Sequence, residues 1–223
     1  MQGLIKVILN LFSRKFLIKI SLILKPFFEL IFRGNRFVDP INNKSYSYFF
    51  PYGYNKLRKN ALSPGTLSLE RHRLLWIFLE KETDFFNTEN KILHIAPEQC
   101  FYKNFKKNFE SYTTCDLNSP IAEIRADVCN LPFNENEFDF VLCNHVLEHV
   151  YDDEKAMKEI YRVLKHKGKA ILQVPVDNTL EKTIDGRDIS DQNLRNKLFG
   201  QYDHLRLYGP CLLYTSDAAD EHG

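Results

Sequence analysis

The sequence predicts an α/β fold with a doubly wound, mainly parallel sheet, and two observations carry that expectation. From Lys91 onward, apolar runs of strand length alternate with amphipathic runs of helix length, the order that lays helices on both faces of a parallel sheet. The chain has 223 residues, 44% hydrophobic and 26% charged, which are ordinary values for a domain with its own core. That length suits one medium domain with an appendage.

The same composition excludes wholesale disorder and repeat architectures. A formal net charge of +1 argues against a generally basic nucleic-acid binder, since phosphate affinity needs clustered positive charge. No nucleic-acid partner is expected. Cys100, Cys115, Cys129, Cys143 and Cys211 form no C-x-x-C pair and are odd in number. They read as reduced thiols of a cytoplasmic chain.

Five segments divide the sequence. Residues 1–35 hold Lys6, Arg14, Lys15, Lys19, Lys25 and Arg33 against a single Glu29, interleaved with Leu, Ile, Val and Phe. Arg14, Lys15 and Lys19 at mid-segment disfavour a membrane span. The pattern reads as a basic amphipathic helix, lying on an anionic membrane surface at its inner face or docked on the chain's own domain. Pro26 is expected to kink or end it.

Residues 36–67 read as a β-ribbon, with Tyr46, Tyr48 and Phe50 alternating with Ser45, Ser47 and Phe49. DPIN (Asp39 to Asn42) and SPGT (Ser63 to Thr66) have the spacing of zinc knuckles, but with oxygen side chains at all four thiolate positions. Structural zinc takes Cys or His there, so no metal is expected. Residues 68–90 predict a linking helix, with Ser68 as N-cap and Leu74, Leu75, Phe78 and Leu79 as its buried stripe. Arg71, His72 and Arg73 are expected on its solvated face.

Residues 91–210 form the alternating part. KILHI is a strand and FYKNFKKNF a helix with Phe101, Tyr102, Phe105 and Phe109 on one face. SYTTCDL ends a second strand at Asp116, EIRADVCNLPF a third at Asp127, and FDFVLCN is a buried fourth. Asp152 or Asp153 caps DEKAMKEIYRVLKHKG, whose Ala156, Met157, Ile160, Val163 and Leu164 face the sheet. Gly168 is expected as its left-handed stop, and KAILQVP as the fifth strand.

In such sheets a ligand sits at the carboxyl ends of the strands, where strand order reverses. The residues there are Ala96 to Glu98, Asp116, Asp127 to Cys129, Asn144 and His145. Asp116 follows Ala96 by about twenty residues, the offset at which an acid accepts hydrogen bonds from a ribose diol. Three strand-end Asp or Asn groups in order point to a nucleoside.

These residues resemble the class I S-adenosylmethionine-dependent methyltransferases, close to the type 11 group. The likeness runs through KILHIAPE, YTTCDL, ADVCNLPF, FVLCNHVLEHV, EIYRVLKHKG and FGQYDHLRLYG. It extends upstream through FFPYGYNKLRKNAL and SLERHRLLW to a subgroup with a degraded zinc ribbon. The resemblance implies a Rossmann-like fold, S-adenosylmethionine as cofactor, and in-line methyl transfer to an acceptor. The family's first motif is acid-x-G-x-G-x-G; here those positions are His94, Ala96, Glu98 and Cys100.

The cofactor residues it implies are His94, Ala96, Pro97, Glu98, Asp116, Leu117, Asp127, Val128, Cys129 and Asn144. Asn144 and His145 would lie nearest the transferred methyl. His145 is the first candidate for a general base, with Asp203 and His204 second.

Two rival readings exist. HVLEH (His145 to His149) fits the H-x-x-E-H zinc pattern of metallopeptidases, although a new helix cap at Tyr151–Asp153 leaves little room for the helix that this chemistry needs. The missing glycines also suit a catalytically inactive interaction domain. No metal ligand is assigned on either the methyltransferase or the interaction reading.

The family normally finishes with two further strands. Residues 211–223 instead read PCLLYTSDAADEHG from Pro210, and LLYTSDAADE resembles translated sequencing-adapter read-through. The expectation is a methyltransferase domain truncated near Gly209, with an exposed sheet edge. The acceptor is expected to be a small molecule or a lipid-linked one, and the basic segment 1–33 tilts that choice toward a membrane surface.

Overall fold

A computed structural model describes residues 14–53 and 57–210. The expected read-through tail, and the part of the basic segment before Arg14, lie outside the described residues. The chain divides into two compact units, residues 1–87 with 98–105, and residues 88–97 with 106–223.

In the first unit, helix α1 spans Arg14–Ile31. Pro26 lies inside it and does not end it. Proline forfeits one i→i−4 hydrogen bond, while tertiary contacts hold the turns beyond: Phe28 and Phe32 stand 5.5 and 4.9 Å from the Phe50 ring, both edge-on. Phe16, Ile20, Ile23, Leu24, Phe27, Leu30 and Ile31 are exposed, spaced by threes and fours along one stripe.

Strands β1 (Arg33–Asp39) and β2 (Lys44–Tyr46) form one antiparallel hairpin, and β3 (Phe50–Tyr52) and β4 (Arg58–Leu62) another. The expected alternation from Ser45 to Phe50 fails, because pairing stops at Tyr46 and resumes at Phe50. Tyr46 and Phe49, three apart, are buried together while Tyr48 is exposed. The two knuckles are closed by hydrogen bonds. Thr66 Oγ1 donates to Asp39 Oδ2 at 2.5 Å, Asp39 Oδ1 accepts from Ile41 N at 3.0 Å, and Ser63 Oγ accepts from Gly65 N at 3.3 Å. Asn42 Nδ2 donates to the Tyr46 hydroxyl at 2.9 Å.

Helix α2 spans Glu70–Lys81. Its cap is not Ser68, whose hydroxyl lies 2.7 Å from Thr66 Oγ1 in the knuckle network. His72 Nδ1 instead accepts from Leu69 N at 3.0 Å. The buried face is His72, Leu75, Trp76 and Leu79, with Leu74 and Phe78 exposed. Arg73 is also not on a solvated face, since its guanidinium donates to the Ser68 and Ala61 carbonyls at 2.7 and 3.1 Å. Trp76 stacks on Phe101 and Phe105 of helix α3 (Gln99–Asn108), at 6.3 and 5.9 Å. That aromatic stack groups residues 98–105 with the first unit.

The second unit carries a five-stranded parallel sheet of β5 (Ile92–Ile95), β6 (Tyr112–Asp116), β7 (Ile124–Arg125), β8 (Phe138–Asn144) and β9 (Leu164–Gln173). Its order is β7-β6-β5-β8-β9, so direction of growth reverses between β5 and β8. Both central strands are wholly or almost wholly buried, as expected for a sheet covered on two faces. The third strand stops at Arg125, two residues short of Asp127, which pairs with Asn130 in an isolated bridge.

Helix α4 (Asp153–Val163) is capped by Asp152, whose carboxylate accepts from Lys155 N at 2.9 Å. It buries Ala156, Ile160 and Val163 against the core. The helix ends at Val163, not Gly168. Leu164 is already extended and begins β9, and Lys167 takes the positive φ of 68°. Gly168 is there for space: a Cβ would stand 2.9 Å from the Lys165 carbonyl oxygen and 3.1 Å from that of Phe138. A short pair, β10 (Ile184–Asp185) with β11 (Arg206–Leu207), and helix α5 (Gln192–Phe199) follow.

Candidate active site

A cleft of about 500 Å³ opens at the carboxyl ends of the strands, within the range of small-molecule sites. It is lined by Ile95 and Ala96 after β5, Asp116 to Asn118 after β6, Ala126 to Cys129 after β7, and His145, Val146 and His149 to Asp152 after β8, with Lys155 of α4. The order reversal between β5 and β8 opens such a crevice, because the connections leave in opposite directions there.

Both loops at that reversal turn sharply. Ala96 N still donates to Cys115 O at 2.9 Å, and His145 N to Gln173 O at 2.7 Å, so each extends the ladder by one bond. Each residue then adopts positive φ, 52° at Ala96 and 54° at His145. Side chains with a Cβ seldom take this region. The bend, a place that favours glycine, is thus made by alanine.

Asp116 is half-buried, and its Oδ1 accepts from Asn118 N and Ser119 N at 2.6 and 2.5 Å. Asp127 is exposed, with Oδ1 accepting from Cys129 N at 2.9 Å. Burial, then the charges of Asp127 and Asp152, push the Cys129 thiol up, so this cysteine is no ready nucleophile. His145 is half-buried, its Nδ1 3.2 Å from Oε1 of the buried Glu148.

Of the residues expected to hold a cofactor, Ala96, Asp116, Leu117, Asp127, Val128 and Cys129 line the cleft. His94, Pro97, Glu98 and Asn144 are not among its lining. His94 is fully buried within β5, its Nδ1 2.8 Å from the Tyr112 hydroxyl, because an inward position on a central strand faces the core. Pro97 and Asn144 are buried too. Glu98 belongs to the first unit, where its carbonyl accepts from Phe101 N and Tyr102 N to open α3.

Of the expected catalytic residues, His145 alone lines the cleft. Asp203 is exposed, and its carbonyl lies 3.2 Å from His149 Nδ1. His204 is buried, with Nδ1 3.1 Å from Phe199 O. Burial, then the neighbouring His149, hold its imidazole below the usual value. HVLEH forms no α-helix; only Leu147–His149 make a 3₁₀ turn, which removes the frame that the peptidase reading needs.

Sequence reasoning missed Arg206. It is fully buried, donating to the carbonyls of Leu147 at 2.7 Å and Tyr151 at 2.9 Å, with Nε 3.4 Å from Asp153 Oδ2. The loop carrying His145 to Tyr151 is therefore clamped from β11. An arginine inside an otherwise apolar stretch, LRLYG, was the available signal.

The residues present suit an adenosyl cofactor. A carboxylate ends the second strand, and a polar turn follows the third. The first turn takes positive φ without glycine.

A family model described as a methyltransferase domain matches residues 90–172. An uncharacterised protein of Methanocaldococcus jannaschii, MJ0638, is 50% identical over 60 residues, covering 27% of this chain and 26% of that protein. The ubiquinone/menaquinone biosynthesis C-methyltransferase UbiE of Idiomarina loihiensis is 35% identical over 68 residues, covering 29% and 27%. The chain thus spans about a quarter of the length of these relatives. Among solved structures, the YcgJ protein of Bacillus subtilis superposes with a TM-score of 0.50 at 19% identity, over 67% of this chain and 68% of that one, a likeness of fold. The methyltransferase-domain match falls on the same strands that build the cleft, and the five-stranded parallel sheet has a Rossmann-like fold.

Proposed function

We propose that the chain is an S-adenosylmethionine-dependent methyltransferase. The observation that supports this most is the meeting of Ala96, Asp116, Asp127 and His145, from four successive strands, in one cleft. Asp116 would take the ribose hydroxyls, as an ionised carboxylate accepts two donors at once. Asp127 with the Val128 and Cys129 backbone would take the adenine edge, and the Ala96 turn would lie beside the amino-acid end. The cofactor, when bound, supplies a methyl group made electrophilic by its sulfonium.

The protein's own part is to position and to exclude water. His145 stands at the mouth of the fourth strand and is oriented by Glu148. A neutral imidazole there would accept a proton from an acceptor hydroxyl or acid carbon. In this reading Asp203 and His204 act at a distance from the acceptor, through His149.

The acceptor we infer is a small molecule or a lipid-linked one met at a membrane surface. The support is the exposed stripe of α1, including Ile23, Phe27 and Leu30 at 75, 59 and 72% exposure, on a segment rich in Lys and Arg. The described residues contain no helix long and apolar enough to cross a membrane. The test is transfer from labelled cofactor into an extract of cells lacking the gene. Labelled product in the organic phase is expected, and it disappears with Asp116→Ala; absence of any product with folded protein would refute the reading.

A further inference from the structure

Behind the cleft wall, Glu148, His149 and His204 bring three ligand atoms within 4.8 Å of one another. Two of the three side chains are almost entirely buried, Glu148 at 1% and His204 at 3% exposure. The Glu148 Oε2 and His204 Nε2 atoms have no hydrogen-bond partner. A buried carboxylate oxygen and a buried ring nitrogen left open in one cluster are costly. One shared partner would satisfy both.

The hydrogen bonds of the two imidazoles leave the same nitrogen open on each. His204 Nδ1 lies 3.1 Å from the Phe199 carbonyl and His149 Nδ1 3.2 Å from the Asp203 carbonyl. A carbonyl only accepts, so each Nδ1 carries the proton and each Nε2 keeps its lone pair. Metal-binding histidines are oriented in this way, through a backbone carbonyl on the other nitrogen. The two rings stand edge to face with centroids 4.8 Å apart. The second segment is tied to the first by Leu205 N donating to Glu148 O at 2.7 Å.

We infer that Glu148, His149 and His204 form a binding site for one divalent transition-metal ion. Two imidazoles and one carboxylate suit Zn²⁺, Co²⁺ or Fe²⁺ and not Mg²⁺ or Ca²⁺, which prefer oxygen alone. Ligand bonds of about 2.1 Å place donors roughly 3–4 Å apart, so groups within 4.8 Å of one another need close by at most about one to two ångströms. His149 also lines the cleft. An ion with three protein ligands keeps a position open, and here it would open toward the cleft. The sites expected from HVLEH as a peptidase differ, for there His145 and His149 would be ligands and Glu148 the base.

Co²⁺ is the probe, added to the full-length reduced protein after treatment with chelator. One equivalent should bind, with visible d–d absorption and no thiolate charge-transfer band. His149→Ala, at a side chain a third exposed, should weaken binding at least tenfold, and Glu148→Gln should do the same. Unchanged affinity in folded His149→Ala, a thiolate band, or no stoichiometric binding by folded wild type would each overturn the site. S-adenosylhomocysteine binding is measured on the same samples. Cobalt binding without it would leave the ion site standing and remove the methyltransferase reading; the reverse result would do the opposite.

Discussion

Ala96 and His145 leave the two central strands of the sheet in the same way: each adds one ladder bond, turns to a φ near 50°, and enters the cleft wall. For His145 the turn aims the ring past the sheet to Glu148. For Ala96 it brings backbone to the cleft in a conformation that alanine pays for in strain.

Ala96→Gly should therefore stabilise the chain. Left-handed backbone costs a residue with a Cβ about 1 kcal/mol more than glycine, offset in part by the freer unfolded chain. Urea unfolding should show a gain of up to about 1 kcal/mol with unchanged cofactor binding. A loss of stability would mean that the Ala96 methyl packs more than it strains.

Arg206 is predicted to be a stability residue whose loss reaches the site. Replacing it with Met removes the charge partner of the Asp153 carboxylate, which keeps only the Tyr208 hydroxyl, and takes the guanidinium donor from the Leu147 and Tyr151 carbonyls. Removing one partner of a buried ion pair costs about 3–5 kcal/mol. Thermal unfolding checks this. A variant within about 1 kcal/mol of wild type, the worth of one hydrogen bond, would contradict the clamp.

Acid should dissolve one loop tie. Glu159 accepts from Arg162 and from Leu131 N, and its hydrogen bond with Arg162 comes first among the causes that hold its carboxyl below the ordinary value of 4.5. A folded-state value lower than the unfolded one stabilises above the unfolded value and is lost as pH falls through the folded one. Glu159→Gln should cost about 1 kcal/mol at neutral pH, and nothing once pH falls below the folded value. A gap that persists in acid would place the effect in packing.

Much of this architecture was legible in the residues. Buried runs such as FDFVLCN announce central strands because both faces must be apolar, and Asp152 caps a helix by a purely local bond. Boundaries set by tertiary contact were not. LKHKG has helical composition, yet Leu164 pairs with Phe138 as a strand. Pro26 looks like a stop, yet Phe28 and Phe32 dock beyond it. His94 reads as a site residue, but burial on a central strand occupies it otherwise, and His204 is turned from the cleft by the bond of its Nδ1 to the Phe199 carbonyl. The meeting of Glu148 with His204 joins positions far apart in sequence, and no local pattern announces it.

The exposed stripe of α1 gives a separate test. Ile23→Asp with Phe27→Asp should reduce sedimentation with anionic vesicles by roughly tenfold or more, since burying each apolar side chain is worth about 1.5–3 kcal/mol. Both residues are solvent-facing, so melting should not change. Equal sedimentation of variant and wild type would remove the membrane contact.

The most direct measurement is calorimetric titration of the folded full-length chain with S-adenosylhomocysteine. One equivalent should bind, and Asp116→Ala should weaken it by roughly 10- to 100-fold, the worth of a hydrogen bond to a charged group. No heat from an intact wild-type chain, or an Asp116→Ala variant that binds as well, would contradict the account.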